Sequence, residues 1–457
     1  MTRDLLALVF ANGCILAAGH GVLRAAGVRP ALLDLPWAFG VAYVVGAAAV
    51  GVIGSILLVA GLALTWWQLV LLCAAILAGG LVPGLVSQRH KPPRIALRPH
   101  RVVVTGWPRL LPPATALALA VLAADLAVQP LWTDDAWSIW TIKAASVVEL
   151  GGLDPGFLSS AAVFNADYPL VVPVLELVAM RFCGLPNELV PLQLGLVFLA
   201  FPAALVALLR ERVRPVVLRT VVLAVALAPT LQIQAASAVA DVTLAVFFAL
   251  AAAAGWRWVE TGESQLLWLS GVFAAGAIGT KTEGLVFVGV LVVALAIVAG
   301  GRRRSAQLAA VGLAAGLTLL PWELWTRRHE VGNAISGAGG ASFGPVDRVP
   351  RAGSDMVKEL VDPSSWLALV ALGCAAIVVA FSRRERRAAL FTAVVAVGCL
   401  AGVLGAYWTT PLDFDYHVAT SVRRTIVAPV LFVAAMTPLL LGRLAVDAQR
   451  PLGHPRD

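Results

Sequence analysis

Pro36-Trp37-Ala38-Phe39-Gly40-Val41-Ala42-Tyr43-Val44-Val45-Gly46-Ala47-Ala48-Ala49-Val50-Gly51-Val52-Ile53-Gly54-Ser55-Ile56-Leu57-Leu58-Val59 runs without a single charged side chain. As a helix rising about 1.5 Å per residue it is long enough for a hydrocarbon core of about 30 Å. The pattern recurs outward in both directions, with spans near residues 5–24, 64–86, 111–130, 188–209, 216–232, 237–257, 264–280, 284–301, 305–325, 364–382, 388–408 and 425–444. Of all residues 60% are hydrophobic and 13% charged, and the mean hydropathy is +0.88. This composition predicts an all-α, polytopic transmembrane protein with about thirteen spans. The period-2 alternation of a membrane barrel is absent.

Basic clusters set the orientation, because loops rich in Lys and Arg stay on the cytoplasmic side. They are Arg89/Lys91/Arg94/Arg98/Arg101, Arg210/Arg212/Arg214, Arg302/Arg303/Arg304 and Arg383/Arg384/Arg386/Arg387. This assigns the C-terminus to the inside and residues 131–168 to an outer loop. Residues 169–184 are apolar enough to cross, but a crossing there would put the later basic loops outside. They are therefore expected to be interfacial or re-entrant, with the N-terminus outside. The net charge of +8 belongs to the inner loops and to anionic membrane lipids, not to nucleic acid. No glycine-rich phosphate loop is present. Cys14, Cys73, Cys183, Cys374 and Cys399 lie in or beside apolar runs without paired spacing, which excludes a disulfide framework.

Once the sides are assigned, the unusual polar residues gather on the outer one. The first outer loop opens with Trp132-Thr133-Asp134-Asp135-Ala136-Trp137-Ser138-Ile139-Trp140-Thr141-Ile142-Lys143 and closes with Asn165-Ala166-Asp167-Tyr168-Pro169-Leu170. Trp137, Trp140, Ala144 and Val147 recur at helical spacing, as in an interfacial helix anchored by tryptophan. Asp241 lies at the outer start of a span, Lys281-Thr282-Glu283-Gly284 forms a tight outer turn, and the last outer loop carries His417, Ser421, Arg423 and Arg424. Gly332–Gly344 reads as a flexible outer loop or a connector. Each residue also has a plainer reading. Asp134 and Asp241 would cap helices, and Asp135 would be a solvated neighbour. Lys281 and Glu283 would pair across their turn, Arg423 would snorkel, and His417 would be a surface histidine. Only Asp125 and Glu176 are candidates for deeply placed acids.

These outer motifs resemble the GT-C superfamily of membrane glycosyltransferases, and most nearly the dolichyl-phosphate-mannose protein mannosyltransferases and their bacterial relatives. Asp134-Asp135 is similar to the acidic pair of the first outer loop, with Asp at 135 where relatives often carry Glu. The tyrosine often found soon after that pair is absent. Tyr168-Pro169-Leu170 resembles the element that closes the loop. Lys281-Thr282-Glu283-Gly284 resembles a Lys-x-Glu-Gly turn, and His417…Ser421-x-Arg423 an element before the last span, with Arg424 competing for the arginine position.

The resemblance implies a GT-C-like core at 111–325 with outer loop 131–168. Residues 1–110 would be an N-terminal three-span segment with its basic loop, and 326–457 an outer loop followed by C-terminal spans. It implies a transferase in a bacterial plasma membrane with its site facing outside. That enzyme would move a sugar from a polyprenyl-phosphate-linked donor to a glycan, lipid or protein acceptor. Asp134 would be the base, and Asp135 would orient the acceptor or bind a divalent cation, Mg or Mn. Lys281 with Arg423 or Arg424 would meet the donor phosphate, and Tyr168, Asp241, Glu283 and His417 would contact substrate. The competing classes are a lipid or sugar transporter (flippase) and a non-catalytic subunit of an envelope-glycan assembly complex.

Overall fold

The structure, a computed structural model, describes residues 2–28, 35–86, 106–185, 188–332, 343–382 and 385–447. The regular structure of the described residues is all helical, with no strand among them. The basic cluster at 89–101, Arg383/Arg384 and most of the Gly332–Gly344 segment lie outside the described residues.

Among the described residues, nine helices are long and apolar enough to cross a membrane: Thr2–Ala25, Trp37–Val59, Trp107–Leu126, Val190–Leu209, Ala240–Thr261, Thr282–Ala299, Arg302–Arg328, Arg386–Thr409 and Phe414–Gly442. The other four expected segments take different forms. Pro215–Leu227 and Pro229–Ala236 meet at a 55° bend. There Ala228 is extended and Pro229 cannot donate the hydrogen bond that would continue the first helix. Trp66–Leu81, Ser264–Thr280 and Leu369–Ser382 are shorter apolar helices.

Of the two forms expected of residues 169–184, interfacial or re-entrant, the structure contradicts the interfacial one. Val171–Cys183 is buried from Val171 to Met180, packed among Thr2–Ala25, Leu35–Val59, Ile142–Leu150 and Val190–Leu209. At roughly 20 Å it is too short to cross, and it lies inside the protein instead of on the membrane surface.

Ala240–Thr261 is the central helix, buried along almost its whole length. The N-terminal helices share this core, because Leu35–Val59 packs against both Val190–Leu209 and Ser264–Thr280. Close approach of Thr2–Ala25 to Leu35–Val59 needs glycine: a Cβ on Gly46 would sit 2.1 Å from the carbonyl oxygen of Ile15. Small residues of this kind let membrane helices pack backbone to backbone.

The loops sort into two ends. At one, Arg212 pairs with Glu260 at 3.2 Å, Arg304 donates to the Val259 carbonyl at 3.3 Å and Arg387 donates to the Val298 carbonyl. Gly442 of the last helix abuts Val213 there. At the other, Thr133 meets Ser237, Trp322 meets Asp167 and Arg348 meets Thr410. The described basic loops thus share one end, and the candidate residues share the opposite one.

Candidate functional site

The loop at 131–168 is fixed by Thr133. Its hydroxyl donates to the Ser237 carbonyl (2.9 Å) and accepts from the Ala136 amide (3.3 Å), so Thr133 provides the side-chain cap expected of Asp134. Asp134 is exposed, and its carboxylate has no hydrogen bond or ion pair among the described residues. Asp135 is turned inward onto Arg424.

Ala136–Thr141 is a π-helical turn leading into Ile142–Leu150. The buried stripe is Ala136, Ile139, Trp140, Lys143, Ala144 and Val147. Trp137, expected on that stripe, is half exposed instead and donates to the Leu131 carbonyl at 3.1 Å. Trp140 stacks on Tyr168, with ring centroids 5.4 Å apart, and is therefore a packing partner of the site and not a headgroup anchor.

Lys143, which the sequence reading passed over, is fully buried on this stripe. It donates to the carbonyls of Asn165 (2.9 Å) and Tyr168 (3.0 Å). Asn165 holds a left-handed backbone (φ 45°), a conformation asparagine tolerates. Burial brings the Lys143 ammonium down to about 7, with Asp167 and Glu176 opposing the shift. Glu176 is fully buried and bonded to Thr141 at 3.2 Å. Asp125, the other expected deep acid, is exposed and accepts from Gln129 at 3.2 Å.

Lys281 interrupts two helices with an extended backbone (φ −157°, ψ 152°). Gly284 closes the turn, since a Cβ there would lie 2.1 Å from the Ala277 carbonyl oxygen. Lys281 Nζ binds Asp241 Oδ1 at 2.9 Å and Glu283 Oε1 at 3.0 Å. Burial pulls the Lys281 ammonium down, but the two carboxylates outweigh it and hold the group above the ordinary lysine range. The plainer pairing with Glu283 is therefore present and extends to Asp241. Glu283 Oε2 is buried without a hydrogen-bond partner among the described residues. Burial, with Glu283 adding to it, raises the Tyr168 phenol above its usual range.

Phe414–Thr425 carries the arginines. Tyr407 bonds Ser421 and Thr425, both at 2.9 Å, and His417 bonds Thr410 at 2.9 Å, anchoring one face of this helix. From that face Arg424 reaches Asp135, leaving its buried Nε without a hydrogen-bond partner among the described residues. Arg423 points away and binds Glu359 at 2.9 Å. Of the candidate residues, Asp135, Tyr168, Asp241, Lys281, Glu283, His417 and Arg424 lie within electrostatic reach of one another. Asp134 borders this cluster through its neighbour Asp135, and Arg423 lies apart.

The donor set does not fit a divalent cation as it stands. Asp135 is engaged by a guanidinium, Asp241 and Glu283 share an ammonium, and no three His, Cys, Asp or Glu side chains converge among the described residues. No family model and no curated protein matches the chain.

Proposed function

We propose that this protein is a GT-C-like membrane glycosyltransferase, moving a sugar from a polyprenyl-phosphate donor to an acceptor at the outer face. The nine long helices, the bent pair and the three shorter apolar helices would then make thirteen crossings. The reading rests chiefly on one observation: an exposed Asp134 stands next to Asp135, whose partner Arg424 keeps a buried Nε, and neither the Asp134 carboxylate nor that Nε has a partner among the described residues.

In the proposed reaction Asp134 takes the proton of an acceptor hydroxyl, and the oxygen attacks the anomeric carbon of the sugar. The bond from that carbon to the phosphate oxygen breaks, and polyprenyl phosphate leaves with the electron pair. Arg424 meets the developing charge, as guanidinium groups grip phosphate well. Asp135 aims Arg424. Lys281, already held by two carboxylates, organises Asp241 and Glu283 in place of the phosphate role first expected of it. The unpartnered Glu283 oxygen suits a sugar hydroxyl. No step is derived through a metal.

Purified protein in lipid nanodiscs, given a panel of polyprenyl-phosphate sugars and candidate acceptors, tests this reading. Release of polyprenyl phosphate coupled to a glycosylated product supports it. A transporter reading draws on the 55° break beside the site, since broken helices form transporter binding sites. In sealed vesicles that alternative would move intact donor lipid between leaflets without cleaving it. A non-catalytic subunit would do neither.

A further inference from the structure

Arg348–Val361 has more apolar surface than its own chain uses. One side, with Ala352 and Met356 buried, packs against Arg386–Thr409 and Phe414–Thr425. A second side carries Pro350, Val357 and Val361, spaced i, i+7 and i+11 on one helical stripe, and extended upstream by Val346. Val357 is 58% exposed, Val361 69% and Val346 75%. The third side is polar, with Arg351, Asp355 and Lys358, and Lys358 pairs with Asp355 at 2.7 Å. Ser354, four residues after Pro350 and three before Val357, interrupts the exposed stripe with a small hydroxyl. A loop helix between protein and water needs one apolar side. This helix has two, separated by a charged one.

The exposed stripe leads along the chain into other exposed apolar faces. From Val361 the chain passes through exposed Leu367 into the apolar helix Leu369–Ser382, where Val378 is exposed. The neighbouring span Arg386–Thr409 exposes Val397. Long charged side chains flank the stripe, with the Lys358 and Arg351 heads exposed.

We propose that Arg348–Val361 is a lipid-docking helix, lying in the bilayer interface at the site end of the protein with Val357 and Val361 among the acyl chains and Asp355 and Lys358 in the headgroup layer. Such helices bury an apolar face in the headgroup–acyl boundary and keep the polar face wet. The docking has a consequence for the site. Glu359, on the protein-facing side, binds Arg423 at 2.9 Å, and the next residue, Arg424, binds Asp135. The membrane surface thereby fixes the height of the helix that presents Arg424.

Spin labels on Val357→Cys, Val361→Cys, Asp355→Cys and Lys358→Cys, in a background free of the five native cysteines, test this in nanodiscs of phosphatidylcholine and phosphatidylglycerol. Accessibility to oxygen, which partitions into lipid, is compared with accessibility to a water-soluble nickel chelate. The expected result is an oxygen-to-nickel ratio at 357 and 361 several-fold above that at 355 and 358. Equal ratios at all four positions would overturn the proposal by placing the stripe in water. Labels at 357 and 361 shielded from both reagents would also overturn it, because a second copy or another protein would then cover the stripe. The readout needs no turnover, so its outcome is independent of whether the protein transfers sugar.

Discussion

Arg424 and Asp135 form an ion pair across 289 positions of sequence, joining the helix Phe414–Thr425 to the start of the loop at 131–168. Both side chains are partly exposed to solvent. The neighbouring arginine, Arg423, is committed to Glu359. The two residues should therefore separate in experiment. Arg424→Ala is expected to raise the donor requirement roughly ten- to a hundredfold, the worth of a charge-assisted contact of about 1.5–3 kcal/mol. Arg423→Ala is expected to stay within a few-fold of wild type in donor titrations. Equal losses in the two variants would remove the distinction.

Lys281 gives a prediction about stability. With Asp241 and Glu283 both on its ammonium, Lys281→Ala leaves buried carboxylates unpaired, a change of about 3–5 kcal/mol. Thermal unfolding of the purified protein should show a large loss, and Asp241→Asn in the Lys281→Ala background should recover part of it. Recovery identifies Lys281 as an organiser of the acids. A normal melting temperature with a raised donor requirement would return Lys281 to the phosphate.

Lys143→Met tests the loop that carries Tyr168. Without the two carbonyl bonds, the amides of residues 163–170 should exchange hydrogen at least about tenfold faster, since local protection follows such contacts. The central helix Ala240–Thr261 should be unchanged. Unaltered exchange at 163–170 would show that Trp140 stacking alone holds the loop.

Much of this was legible in the sequence, and the failures have physical causes. Apolar runs mark helices because each span must satisfy its own backbone in lipid. They could not show that Val171–Cys183 is buried in protein, since lipid and a protein interior select the same side chains. The π-turn at Ala136–Thr141 removed Trp137 from its expected face, and nothing local announces such a turn. Lys281 and Asp241 are 40 positions apart, so only the tertiary fold brings them together. The choice between Arg423 and Arg424 was within reach. His417, Ser421, Arg424 and Thr425 follow the i, i+4, i+7, i+8 spacing of one helical face, and Arg423 does not. Lys143 also carried a signal, lying three residues after Trp140 on the apolar stripe.

Sidedness can be read by labelling. Single cysteines at Ser138 and Thr420 should react with a membrane-impermeant reagent from outside, and one at Ser382 should not. Ser138 and Thr420 flank the site, while Ser382 ends the helix that begins near Trp366 and runs to the basic end. Reaction of Ser138 and Ser382 from the same side would invert the orientation on which the outer-face reading depends.

The central claim is that Asp134 is the base of a glycosyl transfer, and Asp134→Asn tests it most directly. The variant should keep the wild-type melting temperature, because an exposed carboxylate with no partner contributes little to stability. In purified protein with a polyprenyl-phosphate sugar that the wild type turns over, kcat should fall roughly 10²–10⁴-fold, the range of a general base, with the donor requirement nearly unchanged. Wild-type turnover in Asp134→Asn would contradict the account.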